Sequence, residues 1–168
     1  MPLRDSIASV LWLTPPGEPG EAMLMEGTVL MADERTPAAD VVLYIHHTNT
    51  EGLYIPAPGQ QHGRRHGRLR GWARTGADGR FSLHSIRPAP YPGENAPAHI
   101  HIFVEEPGKN VYYIDEVRFL DDPLLTAPLR ASREGRGGDL DIHLLRDEQG
   151  TWRGHLRIVL GRNIPHYR

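Results

Sequence analysis

Pro97-Ala98-His99-Ile100-His101-Ile102-Phe103-Val104 decides how this chain is read. In an extended chain successive side chains point to opposite faces, so His99 and His101 share one face while Ile100, Ile102 and Val104 share the other. The segment is therefore a strand with an apolar back and a pair of imidazoles in front. Two histidines on one rigid strand are pre-positioned for a shared metal ion. Taken alone, the pair suits zinc, copper or ferrous iron, since imidazole binds all of them, and it is also compatible with an ordinary half-solvated surface.

Working back from that strand, Ile86-Arg87-Pro88-Ala89-Pro90-Tyr91-Pro92 fences a tyrosine between prolines and holds the backbone away from helix. A tyrosine fixed in a stiff loop beside a histidine strand is a plausible ligand. Farther back, Val41-Val42-Leu43-Tyr44-Ile45-His46-His47 reads as a buried strand, and Thr48-Asn49-Thr50-Glu51-Gly52-Leu53-Tyr54 turns out of it. Tyr54, Tyr91, His99 and His101 are thus four donors that could close around one ion. Of His46 and His47 one must face inward, where a polar ring needs a hydrogen-bonding partner. His47 is a candidate for lining a substrate pocket, with a bonded core histidine as the structural alternative. His62, His66, His84, His143, His155 and His166 are read as surface residues.

The punctuation is that of an all-β protein: 18 Gly and 15 Pro break the chain into short apolar runs. Strands are expected at Gly27 to Met31, Val41 to His47, His99 to Val104, Tyr112 to Phe119, and Leu140 to Leu145. Trp152 to Leu160 alternates cleanly, with Trp152, Leu156, Ile158 and Leu160 on one face and Arg153, His155 and Arg157 on the other. Ala77-Asp78-Gly79-Arg80 is a hairpin signal. No long stretch carries a helical period, so the expected architecture is a β-sandwich with long loops and little helix. Residues 1–24 are read as an N-terminal arm and linker, and 25–168 as the sandwich domain.

Composition narrows the function classes. The chain has 168 residues, enough to bury a core without covalent staples, and 0 cysteines, so disulfides and thiolate metal sites are excluded. A formal net charge of -2 gives no single-sign field to attract polyanions or membranes. The basic run from Gly59 to Gly71 is interleaved with glycine and lacks stacking aromatics, which argues against nucleic acid. Arg64, Arg65 and Arg70 in it are candidates to reach over an anionic substrate. The apolar stretch Ser6 to Leu13 is too short for a membrane span and runs into a Pro/Gly stretch rather than a small-residue cleavage site, so a cytoplasmic protein is expected.

Along nearly its whole length, from about Gly27 to Gly161, the chain resembles the intradiol ring-cleavage dioxygenases, non-haem ferric enzymes that include the catechol and protocatechuate dioxygenases. The resemblance is carried by Glu51-Gly52-Leu53-Tyr54, Arg70-Gly71 followed by Asp78-Gly79-Arg80-Phe81, Ile86 to Pro92, Pro97 to His101, Phe119-Leu120-Asp121-Asp122-Pro123 and Ile158-Val159-Leu160-Gly161. Each piece is weak alone; their order and spacing together are specific. The resemblance implies an Fe(III) ion held by Tyr54 and His99 as equatorial ligands and by Tyr91 and His101 as axial ones, with Tyr91 serving as ligand and base in turn. It implies a small aromatic vicinal diol and O2 as substrates, a muconate-type diacid as product, the same β-sandwich, and a homo-oligomer, commonly a dimer. Anionic phenolates favour the ferric state, in keeping with that ligand set.

The chain also departs from the family's pattern. Many members carry an arginine shortly before the His-x-His pair, whereas here Tyr91 to His99 contains neither Arg nor Lys; Ala96 takes that place and Glu94 supplies the only charge. Glu116 replaces a common glutamine and Arg118 an aromatic residue. Glu94 and Glu116 are accordingly candidate substrate contacts. Two other readings stand beside the ferric dioxygenase: another metalloenzyme on the same scaffold, such as a zinc enzyme using Glu94 or Glu116 as an acid-base group, and a catalytically inactive β-sandwich binding module.

Overall fold

Burial alternates with a period of two along the long strands, and that pattern builds two facing sheets in the computed structural model, which describes residues 2–168. The strands are β1 (Val10–Trp12), β2 (Ala22–Leu30), β3 (Val42–His47), β4 (Arg70–Arg74), β5 (Arg80–Ile86), β6 (His99–Glu105), β7 (Tyr112–Tyr113), β8 (Val117–Phe119), β9 (Asp141–Ile142), β10 (Leu145–Arg146) and β11 (Trp152–Val159). One sheet has the order β1-β5-β2-β11-β10 and the other β4-β3-β6-β8-β9, with β7 pairing to β6. A single short α-helix, α1 (Ala127–Ala131), lies among the described residues, with two 3-10 turns at Arg4–Ser6 and Arg64–His66. The chain is an all-β sandwich. Among the described residues no helix is long and apolar enough to cross a membrane.

The core is the space between the two inner faces. Met23, Met25, Phe81, Leu83, Leu156 and Ile158 come from the first sheet and meet Leu43, Ile45, Ile100, Ile102, Val104 and Phe119 from the second. Gly27 on β2 faces the Phe81 ring so closely that an added Cβ would sit 2.1 Å from the ring edge, which explains glycine inside a strand. The outer face of the second sheet carries the chemistry. There β3 pairs antiparallel with β6, setting His46 opposite His101 and Tyr44 opposite Phe103.

Two local expectations meet a different structure. Asp78-Gly79 does turn, with Asp78 Oδ1 accepting the Arg80 N–H at 3.0 Å, but it carries the chain from β4 in one sheet to β5 in the other and closes no hairpin. The expected strand from Tyr112 to Phe119 splits into β7 and β8. Between them the backbone changes partner: Ile114 N–H donates to Ile102 O and Asp115 N–H to Arg136 O. The N-terminal segment is stitched into the sandwich, since β1 pairs in parallel with β5 and Leu13 is buried in the core.

Candidate metal centre

Four side chains from three pieces of backbone meet over the outer face of β6. The Tyr91 hydroxyl is their hub, 3.1 Å from the Tyr54 hydroxyl, 3.0 Å from His99 Nε2 and 3.4 Å from His101 Nε2. The two imidazole Nε2 atoms lie 3.1 Å apart. Each of these pairs is in reach of one shared small ion.

The local sequence explains how each donor is held. His99 donates its Nδ1–H to the Pro97 carbonyl at 2.8 Å, which fixes the tautomer and leaves Nε2 with a lone pair aimed at the cluster. Asp122 accepts the Ala98 N–H at 2.8 Å and the Leu124 N–H at 2.9 Å, pinning the backbone one residue before His99. The two tyrosine loops are fastened to each other. Thr48 Oγ1 donates to Ala89 O at 2.7 Å, Ala89 N–H donates to Asn49 O, and Asn49 Oδ1 accepts the Glu51 and Leu53 N–H groups at 3.0 Å each. Gly52, at φ 75°, lies so close under Pro90 that an added Cβ would stand 2.0 Å from its carbonyl oxygen.

The electrostatics of the cluster favour a cation at its centre. Burial, then the hydrogen bond and charge of Tyr91 and the charge of Glu116, push the Tyr54 phenol well above its ordinary range. Burial, then the neighbouring His99, lowers His101 to about 4, so its ring is neutral at pH 7. Burial thus favours the uncharged forms of the Tyr54 phenol and the His101 imidazole, which bring no charge of their own to the cluster. A bound metal ion reverses that logic by stabilising the phenolates and engaging the bare nitrogens. The donor set therefore fits a hard, highly charged ion, two anionic oxygens and two imidazoles, with all four tips converging.

The other expected site residues fall into two groups. Glu116 lies beside the cluster, its charge felt by both Tyr54 and His101. Glu94 is exposed in the turn that follows Tyr91. Arg64, Arg65 and Arg70 do not close over the four donors. Arg64 donates to the Gln60 carbonyl at 3.0 Å, the Arg70 guanidinium sits 5.4 Å above the Trp72 ring, and Arg65 and Arg70 line a separate trough. That trough, a cavity of about 670 Å³, is floored by Tyr44, Trp72 and Phe103 and walled by His66.

His47 takes the bonded core position that stood as its structural alternative. Strand alternation turns it to the core, where it is 1% exposed; it donates Nδ1–H to Thr48 O at 2.7 Å and accepts from Ser85 Oγ at 2.6 Å through Nε2. His46 takes the outer face instead, stacked on His101 with ring centroids 4.7 Å apart and on His66 at 3.9 Å. His66, read from sequence as a surface residue, is half-buried there with Nδ1 2.8 Å from the Tyr44 hydroxyl. Only the register of β3 against β6 reveals this layer behind the donors; the one sequence signal for it is that His46 lies two residues from Tyr44 on the same strand face.

A profile of the family described as "Dioxygenase" matches residues 8–139. No curated protein matches the chain by sequence. Among solved structures, the chain is similar to the dioxygenase domain of a dioxygenase carbohydrate-binding protein fusion from Streptomyces sp. SirexAA-E, at 27% identity and a TM-score of 0.67, covering 89% of this chain and 85% of that one. It shares the fold of catechol 1,2-dioxygenase from Acinetobacter sp. ADP1, at 20% identity and a TM-score of 0.68, covering 96% of this chain and 60% of that one. It also shares the fold of hydroxyquinol 1,2-dioxygenase from Pseudomonas putida DLL-E4, at 23% identity and a TM-score of 0.61, covering 89% and 58%. The chain thus spans about three-fifths of the length of those two enzymes. Because the matched profile takes in both tyrosine loops and the histidine strand, on a sandwich shared with catechol-cleaving neighbours, the chain belongs to the intradiol ring-cleavage dioxygenase family.

Proposed function

We propose that this protein is a ferric dioxygenase that opens a catechol-type aromatic vicinal diol with O2 between its two oxygen-bearing carbons, giving a muconate-type diacid. The observation that carries the proposal is the convergence of Tyr54, Tyr91, His99 and His101, with a bare imidazole nitrogen and the Tyr91 hydroxyl facing one point. When bound there, ferric iron supplies the Lewis acidity through which a catecholate ring becomes reactive toward O2.

The chain's own residues divide the remaining work. His99 and His101, on one strand of the sheet, form the fixed half of the site, because β6 is paired on both sides. Tyr54 supplies a half-buried oxygen whose ionisation would depend on the cation. Tyr91 is the mobile half: its loop is the more exposed side of the cluster, and its oxygen is the one within hydrogen-bond reach of all three others. With the ion in place Tyr91 would help to hold it together with Tyr54, His99 and His101 and would serve as the base for one of the two diol protons, the other passing to solvent.

Oxygen uptake by the iron-loaded protein, measured across catechol, protocatechuate, hydroxyquinol, pyrogallol and larger alkylated catechols, tests the proposal. Muconate-type products with both oxygen atoms incorporated are expected from at least one of them. Extradiol products, or no uptake across the panel, would contradict it.

A further inference from the structure

This inference rests on the catechol reading above and concerns the charge of the substrate. β6 and β8 run antiparallel with His99 beside Arg118 and Ile100 beside Val117, which brings Glu116 next to His101. Val117 is fully buried on the core side, so alternation sends Glu116 and Arg118 out on the face that carries His99 and His101. The Glu116 carboxylate is exposed. Its backbone oxygen is held by Arg133 at 2.7 Å, but among the described residues its side chain makes no hydrogen bond and no ion pair.

Three arginines that flank the donors in sequence or register are, by contrast, already neutralised, whereas Arg65 and Arg70, which make no ion pair among the described residues, line the trough beyond β3 at the β4 edge of the sheet. Arg118, the cation closest in register to His99, gives Nε and Nη2 to the buried Asp141 at 2.8 and 3.0 Å. Arg87, just before the Tyr91 loop, is clamped on Asp121 at 2.9 and 2.7 Å. Arg68, which follows the Tyr54 loop, is clamped on Glu18 at 2.8 Å through both nitrogens. The interval from Tyr91 to His99 adds a second exposed carboxylate, Glu94, and no cation. On its β8 side the mouth of the site therefore presents free negative charge and locked positive charge, with the unpaired cations of the trough across β3 on the opposite side. A carboxylate on a catechol would meet like charge on the β8 side, whereas an ammonium group there would find an unpaired carboxylate.

We propose that the site selects catechols with a protonated amine on an alkyl side chain over catechols with a carboxylate there, and that Glu116 is the counter-charge that sets the preference. The test uses three catechols that differ only in the group para to one hydroxyl: aminoethyl, ethyl or carboxyethyl. Each is titrated without oxygen into the iron-loaded protein, with affinity read from the visible spectrum, and into gallium(III)-loaded protein by calorimetry, which requires no turnover. The aminoethyl compound is expected to bind about tenfold or more tighter than the carboxyethyl compound at low salt, with the gap shrinking as salt is added. Glu116→Gln narrows the gap by about tenfold and Glu116→Lys inverts it. Equal affinity for the charged pair, or a preference that survives Glu116→Gln, overturns the assignment while binding of the ethyl compound keeps the catechol reading intact. If none of the three binds, the ethyl compound included, both fall together.

Discussion

His46 and His47 are adjacent in sequence, yet one ring stacks against the donor cluster and the other hydrogen-bonds inside the core. The burial of His47 has a measurable consequence. Its folded-state value is lowered from 6.5 to about 4, mainly by burial, and the Thr48 carbonyl only partly offsets this. The native protein keeps the ring neutral while the unfolded chain takes up a proton below its ordinary value. The stabilisation is thus complete above about pH 6.5 and is lost as pH falls toward 4, for a total of about 3 kcal/mol. Urea unfolding of the metal-free protein at pH 7 and pH 4.5 should show most of that loss on top of the losses from His46 and His101, whose values burial also lowers, and His47→Gln should remove the His47 share and so make the dependence shallower. A slope unchanged by the substitution would assign it elsewhere. At this scale the convergence of Tyr54, Tyr91, His99 and His101 was legible because each sits in a locally readable frame, a strand or a turn beside it. The fate of His46, His47 and His66 was not legible, since it depends on which face of β3 the partner strand leaves open.

Among elements, the decisive contact is the one between the two tyrosine loops. Gly52 fits under Pro90 only because it has no Cβ and takes a positive φ. Gly52→Ala should therefore cost about 1–3 kcal/mol in stability. Its larger effect should be on the site, because relieving the clash moves the Tyr54 loop away from the Tyr91 loop. Iron affinity should fall by at least tenfold, read by competition with a chelator; unchanged affinity would mean that the loop contact does not set the donor spacing. Turn chemistry was legible where it is local: Asp147 accepts the Gln149 and Thr151 N–H groups at 2.9 Å and closes the hairpin between β10 and β11. The Asp78-Gly79 turn carries a similar signal, yet it crosses between sheets. The destination of a turn is fixed by long-range packing, as with β1, whose pairing to β5 no local pattern announces.

At the level of the whole molecule, one sheet of the sandwich supplies the site's rigid floor and the loops above it supply the tyrosines. Period-two burial made the sandwich legible from the sequence, and the order of short motifs made the family legible. The sheet order was not, because it joins β2 to β11 in parallel across most of the chain. Since the four proposed donors tie three separate segments together, binding of the proposed ion would be coupled to folding. Removing iron with a chelator should lower the melting temperature by about 5–15 °C for an ion bound about a thousandfold above its dissociation constant; an identical melting temperature with and without iron would mean that the donors hold no ion in the folded state. The most direct measurement is the visible spectrum of the protein expressed with ample iron. Tyrosinate coordination of ferric iron by Tyr54 and Tyr91 predicts a coloured protein whose charge-transfer band shifts or weakens in Tyr54→Phe, whereas a colourless, iron-free protein, or a band unchanged in that variant, would contradict it.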